Sequence, residues 1–314
     1  MSTGTAPADP VPLWPGQLVS LGDRDVFLRS ARPGVPGDAG DFEPALCVHG
    51  LEGSSANWTD LMAELLPRMA CEALDLPGFG YSPPPRGQRG YSITAQAGVV
   101  TKLIEQRYGG RPVHLIGNSL GGAVCVRVAA GRPGLIRTLT LLSPVLPDRW
   151  PDPSLFKFPL LCVPAVGHWL ISRASQFSAE QRVAAIAAAV CYDSREIHPA
   201  RLAGEVAEVK RRDTLGYADA ALIASTRALI AERFSRTLWR EAARIEAPTL
   251  VIFGSHDRLV DPRLAGRAAR AFGGARVIVL PRTGHVAQME HPATVAAEIR
   301  ALGMRQQPAR LTHV

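Results

Sequence analysis

The sequence predicts an α/β fold, a doubly wound, mostly parallel sheet that is interrupted once by a helical insertion. Short apolar runs without polar alternation recur along the chain, and this pattern is typical of parallel strands buried on both faces. Helical segments follow most of these runs, so that strands and helices alternate up to about residue 144 and again from about residue 241. A chain of 314 residues is long enough for one such domain with an insertion.

Apolar periodicity and Gly/Pro punctuation locate the elements of this fold. The alternation divides the chain into a flexible N-terminus (1–16), an α/β core (17–144 and 241–303), a helical cap (145–240) and a C-terminal tail (304–314). The predicted strands are 17–21, 24–31, 45–50, 69–76, 112–117, 136–144, 247–255 and 275–281, and the predicted core helices are 55–67, 92–109, 120–133, 261–273 and 291–303.

Composition narrows the class of protein. The 35 basic and 28 acidic residues give a net charge of +7, but the arginines are dispersed and form no stripe, which argues against nucleic-acid binding. The five cysteines show no CxxC pair or metal-ligand spacing, so neither a disulfide framework nor a structural zinc is expected. The first residues lack the basic and apolar regions of a signal peptide, and no apolar run is long enough to span a bilayer. These features predict a cytoplasmic protein.

A serine between glycines marks the most informative motif of the sequence. Gly117-Asn118-Ser119-Leu120-Gly121 follows a predicted buried strand and opens a predicted helix, as a nucleophile elbow does. Small flanking residues let the strand and the helix approach each other around a strained serine. The alternative is a flexible Gly/Ser turn, which the strand-to-helix context makes the weaker interpretation. Ser119 is therefore the candidate nucleophile.

A serine nucleophile needs a base and an acid that orients the base. In this architecture both follow the insertion, in the chain order Ser, Asp, His, and each comes after one of the last strands. Asp257 and His285 satisfy that order. Asp261 is the competing acid, but it resembles a helix N-cap, and His291 stands at a helix start. His256 is adjacent to Asp257, and neighbouring side chains do not easily orient one another toward a common serine.

An acyl-transfer site also needs two backbone donors for the oxyanion. One is predicted to be the amide of Leu120, which directly follows the candidate nucleophile. The other is expected in the turn after the strand at 45–50, and we assign it to the amide of Leu51. His49 and Gly50 are predicted to shape that loop. His49 has no partner at metal-ligand spacing, so no metal site is expected.

Over about residues 17–303 the chain resembles α/β-hydrolase-fold serine hydrolases with a helical cap. The segments that carry this resemblance are "HGLEGSSANW", "DLPGFGYS", "GNSLGG", "GSHDRLVD" and "RTGHVAQMEHP". The superfamily includes esterases, perhydrolases, C–C bond hydrolases, epoxide hydrolases and dehalogenases. The last two classes have an aspartate at the nucleophile position, so Ser119 argues against both. The resemblance implies a packing role for "DLPGFGYS" beside the active site, and it implies catalysis without a cofactor.

The sequence thus predicts a serine hydrolase that cleaves a small apolar ester, thioester or lactone through an acyl-enzyme. The same triad also fits C–C bond cleavage or perhydrolysis, and a non-catalytic receptor for a hydrophobic ligand is the alternative outside enzymes. The apolar segment 156–171 either packs the cap against the core or forms a hydrophobic lid, and membrane contact through it is the less favoured reading. The sequence does not indicate an oligomeric state.

Overall fold

Each apolar run that predicts a strand forms one, and the strands join in a single sheet of eight. The computed structural model of the protein describes residues 10–31, 42–66, 68–148, 160–163 and 165–304. The strands are β1 (Gly16–Ser20), β2 (Asp25–Ala31), β3 (Glu43–Val48), β4 (Met69–Leu74), β5 (Val113–Asn118), β6 (Ile136–Leu142), β7 (Thr249–Gly254) and β8 (Arg276–Leu280).

The order of strands in the sheet is β1-β2-β4-β3-β5-β6-β7-β8. β1 pairs antiparallel with β2, and β2 pairs antiparallel with β4. All pairs from β4 onward are parallel, which confirms the predicted mostly parallel sheet. The parallel strands share one direction, so the loops that leave their carboxyl ends meet along the same edge of the sheet.

Helices cover both faces of the sheet, as a doubly wound fold requires. A short 3-10 turn at Ser55–Trp58 precedes the first helix. The α-helices are α1 (Thr59–Leu65), α2 (Ile93–Arg107), α3 (Leu120–Gly131), α4 (Val166–Ala174), α5 (Ala179–Val190), α6 (Pro199–Arg212), α7 (Ala218–Phe234), α8 (Thr237–Ala242), α9 (Leu264–Ala271), α10 (Ala287–Glu290) and α11 (Pro292–Met304).

The apolar core divides into two layers, one on each face of the sheet. α2, α3, α8 and α9 pack on one face around Val100, Leu103 and Phe253. α1 and α11 pack on the other face around Trp58 and Leu61. Every residue of β5 and β7 is buried, which explains why these strands do not alternate between apolar and polar side chains as a half-exposed strand does.

The connection between β6 and β7 contains α4 to α8, which we call the inserted helices, and its described residues include no strand. Ion pairs join the inserted helices to the core at separate places. Arg201 of α6 contacts Asp60 at 2.5 Å, and Arg127 of α3 contacts Glu232 of α7 at 2.9 Å. The predicted cap, 145–240, includes 149–159 and 164, which lie outside the described residues, as do 1–9 of the predicted N-terminus and 305–314 of the predicted tail.

The apolar segment 156–171 is described only at 160–163 and 165–171. Leu160 is 48% exposed and Trp169 is 60% exposed, so a large part of each of these two apolar residues faces solvent. Among the helices that the structure describes, none has the length and apolarity that a membrane span requires.

Candidate active site

The turn between β5 and α3 holds Ser119 in a strained backbone conformation, with φ 55° and ψ −118°. The serine is 7% exposed, and its amide donates to the carbonyl oxygen of Leu142 at 3.0 Å. A Cβ on Gly121 would lie 2.2 Å from the carbonyl oxygen of Val48, so only glycine lets α3 approach β3 this closely. The local geometry is that of a nucleophile elbow, with Ser119 directly before the N-terminus of a helix.

Asp257 and His285 come from different loops and meet in a hydrogen bond. Asp257 lies in the loop after β7, and His285 lies in the loop after β8. Nδ1 of His285 is 2.9 Å from Oδ2 of Asp257, and both side chains are buried. Because Nδ1 donates to the carboxylate, the second ring nitrogen, Nε2, keeps its lone pair.

Backbone amides hold the Asp257 carboxylate in place. Its Oδ1 accepts from the amides of Leu259 at 2.8 Å and Val260 at 2.9 Å, which leaves Oδ2 for His285. Burial favours the neutral form of this carboxyl, but the His285 ring and the Val260 amide outweigh burial, so the pKa of Asp257 is lowered. Asp257 therefore stays ionised at neutral pH.

The competing residues of the same loops have other partners. Oδ1 of Asp261 accepts from the amide of Arg263 at 2.8 Å, in the turn before α9. The ring of His256 packs against that of Tyr192 in a tilted arrangement, with ring centroids 4.5 Å apart and an interplanar angle of 57°. Nε2 of His291 lies 3.2 Å from the carbonyl oxygen of Arg282. Asp257 is thus the carboxylate that contacts His285.

The predicted oxyanion loop lies beside Ser119. A Cβ built on Gly50 would come within 3.0 Å of the Cβ of Ser119, and the amide of Gly53 donates to the carbonyl oxygen of Gly50 at 3.2 Å. This turn carries Leu51, whose side chain packs against the core. Leu120, the other predicted donor, is the first residue of α3 and is buried.

His49 braces this loop against the next one along the chain. Its Nε2 accepts from the amide of Leu76 at 2.9 Å, and its Nδ1 lies 2.7 Å from the carbonyl oxygen of Gly50. The pair of contacts assigns the proton to Nδ1 of a neutral ring. Burial lowers the pKa of His49, in agreement with that state.

Asn118 is a residue of the site that the sequence interpretation missed. Its Nδ2 donates to the carbonyl oxygens of Leu142 and His285, each at 3.0 Å. The residue before the elbow serine therefore holds the backbone of the loop that carries His285. The only signal in the sequence is its position inside the "GNSLGG" motif, where any residue type fits the pattern.

A carboxylate from the inserted helices reaches the oxyanion loop. Oε1 of Glu205, on α6, accepts from Nδ2 of Asn57 at 2.7 Å, and Oδ1 of Asn57 accepts from the amide of Ser54. Burial and the nearby charge of Glu208 raise the pKa of Glu205 to about 7. No group of three or more His, Cys, Asp or Glu side chains suited to a metal ion occurs among the described residues.

A comparison with protein families decides the identity of the fold. A family model described as alpha/beta hydrolase fold matches residues 44–292, most of the chain. The chain belongs to the alpha/beta hydrolase family. The predicted resemblance is thereby confirmed at the level of family and fold, and the family is one of hydrolases.

Curated relatives of this alpha/beta hydrolase include esterases and lipases. The chain is 25% identical to a pimeloyl-[acyl-carrier protein] methyl ester esterase of Neisseria meningitidis, over 81% of this chain and 90% of the relative. It is 26% identical to Lipase 3 of a Moraxella species, over 90% and 82% of the two chains.

Two further comparisons are limited to part of a protein or to the fold. The match to the dihydrolipoyllysine-residue acetyltransferase component of the acetoin cleaving system of Cupriavidus necator is 32% identical but covers 38% of this chain and 30% of the relative. The structure of 2-hydroxy-6-oxo-6-phenylhexa-2,4-dienoate hydrolase from a Rhodococcus species superposes with a TM-score of 0.71 at 19% identity. That superposition covers 92% of this chain and 99% of the other.

Proposed function

We propose that this protein is a serine hydrolase that cleaves a small apolar carboxylic ester, with Ser119 as nucleophile, His285 as general base and Asp257 as the acid that orients it. The observation that carries the proposal is the hydrogen bond of 2.9 Å between His285 and Asp257, because the loop of His285 is also bonded to the elbow of Ser119 through Asn118. An intact arrangement of this kind favours an enzyme over a receptor.

The proposed reaction begins when Nε2 of His285 takes the proton of the Ser119 hydroxyl as the oxygen attacks the ester carbonyl. The amides of Leu51 and Leu120 then stabilise the oxyanion, and loss of one such donor typically costs about 3 kcal/mol of barrier. The protonated His285 donates to the leaving alcohol, and water activated by the same ring hydrolyses the acyl-enzyme. Ionised Asp257 stabilises the imidazolium throughout.

Two features support an apolar ester as the substrate class. Two partly buried aliphatic residues lie beside the nucleophile: Leu51 of the oxyanion loop, and Val145, whose amide donates to the carbonyl oxygen of Ser119 at 3.1 Å. The relatives that align over most of the chain are named an esterase and a lipase. We further propose that the protein acts in the cytoplasm.

Labelling with a fluorophosphonate tests the nucleophile. We expect the wild-type protein to form one covalent adduct on the peptide that contains Ser119, and Ser119→Ala to form none, because the reagent reacts with serines activated by a base. Intact-mass and peptide mass spectrometry give the readout. Ser175→Ala, which changes the exposed serine that directly follows α4, is the matched control and should label like the wild type. A wild-type protein that does not label contradicts the proposal.

A series of p-nitrophenyl esters tests the substrate class. For an apolar acyl pocket we expect kcat/KM to rise up to about fourfold with each added CH₂ until the pocket is filled, because each buried methylene contributes about 0.8 kcal/mol. Initial rates from acetate to decanoate measure this dependence. A kcat/KM that falls steadily from acetate onward argues for a small or polar pocket instead.

A further inference from the structure

The carboxylate of Glu290 bridges two separate parts of the chain. Glu290 is the last residue of α10 and is only 6% exposed. Its Oε1 accepts from the amide of Gly284 at 2.9 Å, and its Oε2 accepts from the amide of Tyr192 at 2.6 Å. Gly284 directly precedes His285, whereas Tyr192 follows α5 of the inserted helices by two residues.

Further contacts hold the backbone around His285 in place. The amide of His285 donates to the carbonyl oxygen of Val190, the last residue of α5, at 2.6 Å. A Cβ on Gly284 would lie 2.4 Å from that same oxygen, so the two backbones are in close contact. The carbonyl oxygen of His285 in turn accepts from Asn118 at 3.0 Å. The peptide groups on both sides of His285 are thus held from outside its own loop.

A neutral side chain of the same size as Glu290 cannot accept a hydrogen bond on each of its two terminal atoms, as Glu290 does here. Both acceptors of one carboxylate are used at once by two amides that belong to different segments. A glutamine would keep one acceptor and turn its NH₂ group toward the second amide, which also donates. That amide would then be left buried without a partner.

We propose that Glu290 is a positioning residue for His285: it ties the histidine loop to the end of α5 and so keeps the imidazole aligned with Asp257 and Ser119. The inference rests on the proposed role of His285 as general base. Each oxygen of Glu290 accepts from a backbone amide, so we assign the residue a role that acts through the loop of His285 and not on a reacting atom. Burial raises the pKa of this carboxyl, and the amides of Tyr192 and Gly284 oppose that rise.

Glu290→Gln tests the inference. We expect kcat for an ester to fall about 10- to 100-fold with KM changed by less than about threefold, because a displacement of the base of about 1 Å weakens proton transfer more than it weakens substrate binding. The fluorophosphonate should still label Ser119, but at a rate reduced in parallel with kcat. Rates are normalised to the fraction of protein that finally labels, so that misfolded protein does not enter the comparison.

A spectroscopic readout separates positioning from mere stabilisation. We expect the Nδ1 proton of His285 to give a low-field ¹H NMR signal through its hydrogen bond to Asp257. Glu290→Gln should shift or broaden that signal at a temperature where the variant is folded. Glu298→Gln is the matched control: Glu298 of α11 pairs with Arg276 of β8, so this change should leave both kcat and the signal unchanged.

The outcomes are distinct. If the wild type labels at Ser119 while Glu290→Gln keeps the wild-type kcat and the wild-type His285 signal, the positioning role is wrong and the proposed function stands. If the wild type does not label at Ser119, the proposed function fails and this inference fails with it. Should Glu290→Gln not fold, Glu290→Asp replaces it. That variant keeps the charge but is too short to reach both amides, so its kcat should also fall at unchanged KM.

Discussion

Asp257→Asn is expected to lower kcat/KM for an ester substrate by about 10⁴-fold, which corresponds to about 5 kcal/mol of transition-state stabilisation. The reason lies in the hydrogen bonds of the side chain. Oδ1 of Asp257 accepts from the amides of Leu259 and Val260, so the asparagine oxygen is held at that position. Its NH₂ group then faces Nδ1 of His285, which must become an acceptor, and the ring proton moves to Nε2. An Nε2 that carries a proton cannot take one from Ser119.

Steady-state kinetics with p-nitrophenyl butyrate measure this effect, and thermal unfolding shows whether the variant is folded. Asp261→Asn is the matched control, since it removes one carboxylate from the same loop, and Asp261 contacts Arg263 instead of His285. We expect its kcat/KM to stay within about twofold of the wild-type value. An Asp257→Asn enzyme that retains a tenth of the wild-type activity would exclude Asp257 as the orienting acid.

Gly121→Ala is expected to lower the free energy of unfolding by about 3 kcal/mol, because the added methyl meets backbone atoms that cannot rotate away. It would lie 2.2 Å from the carbonyl oxygen of Val48 and 2.4 Å from that of His49. Relief of this overlap moves the start of α3 away from the oxyanion loop, so kcat should also fall, by about 100-fold for a displacement of about 1 Å. Urea unfolding and ester hydrolysis measure the two effects.

Gly131→Ala provides the comparison within the same helix. A Cβ at Gly131 has no atom within 4 Å, so alanine there is expected to raise stability by about 0.5–1 kcal/mol through its greater helix propensity. Equal urea midpoints for Gly121→Ala and the wild type would contradict the close approach of α3 to β3.

The sequence was sufficient to predict the sheet because its information is local. Each parallel strand is a short apolar run that is bounded by Gly, Pro or Asp, and the run remains recognisable without knowledge of its neighbours. Ser119, Asp257 and His285 are candidates for the same reason, since each is defined by the strand that it follows. The rule of chain order then selects among the few polar residues at those strand ends.

Asn118 and Glu290 were not accessible in this way, because their contacts depend on how loops cross the edge of the sheet. The loop after β8 returns over β7 and β6 to reach Asn118 at the end of β5, and neither periodicity nor a turn signal encodes that path. The bridge from Glu290 to Tyr192 joins residues 98 positions apart. The residues of the inserted helices that would face a substrate are equally a matter of helix packing, which the sequence pattern leaves open.

The length of the connection between β6 and β7 affects how readily its sequence can change during evolution. Its roughly one hundred residues begin and end on neighbouring strands, where Leu142 pairs with Ile252. The entropy lost on closing a loop grows only with the logarithm of its length, so a tenfold longer excursion costs about 2 kcal/mol more than a short one. Insertions or deletions between these two strands that keep the contacts of Val190 and Tyr192 therefore destabilise the sheet little. Changes in this connection can therefore alter which substrate binds, while the strand that leads to Ser119 stays unchanged.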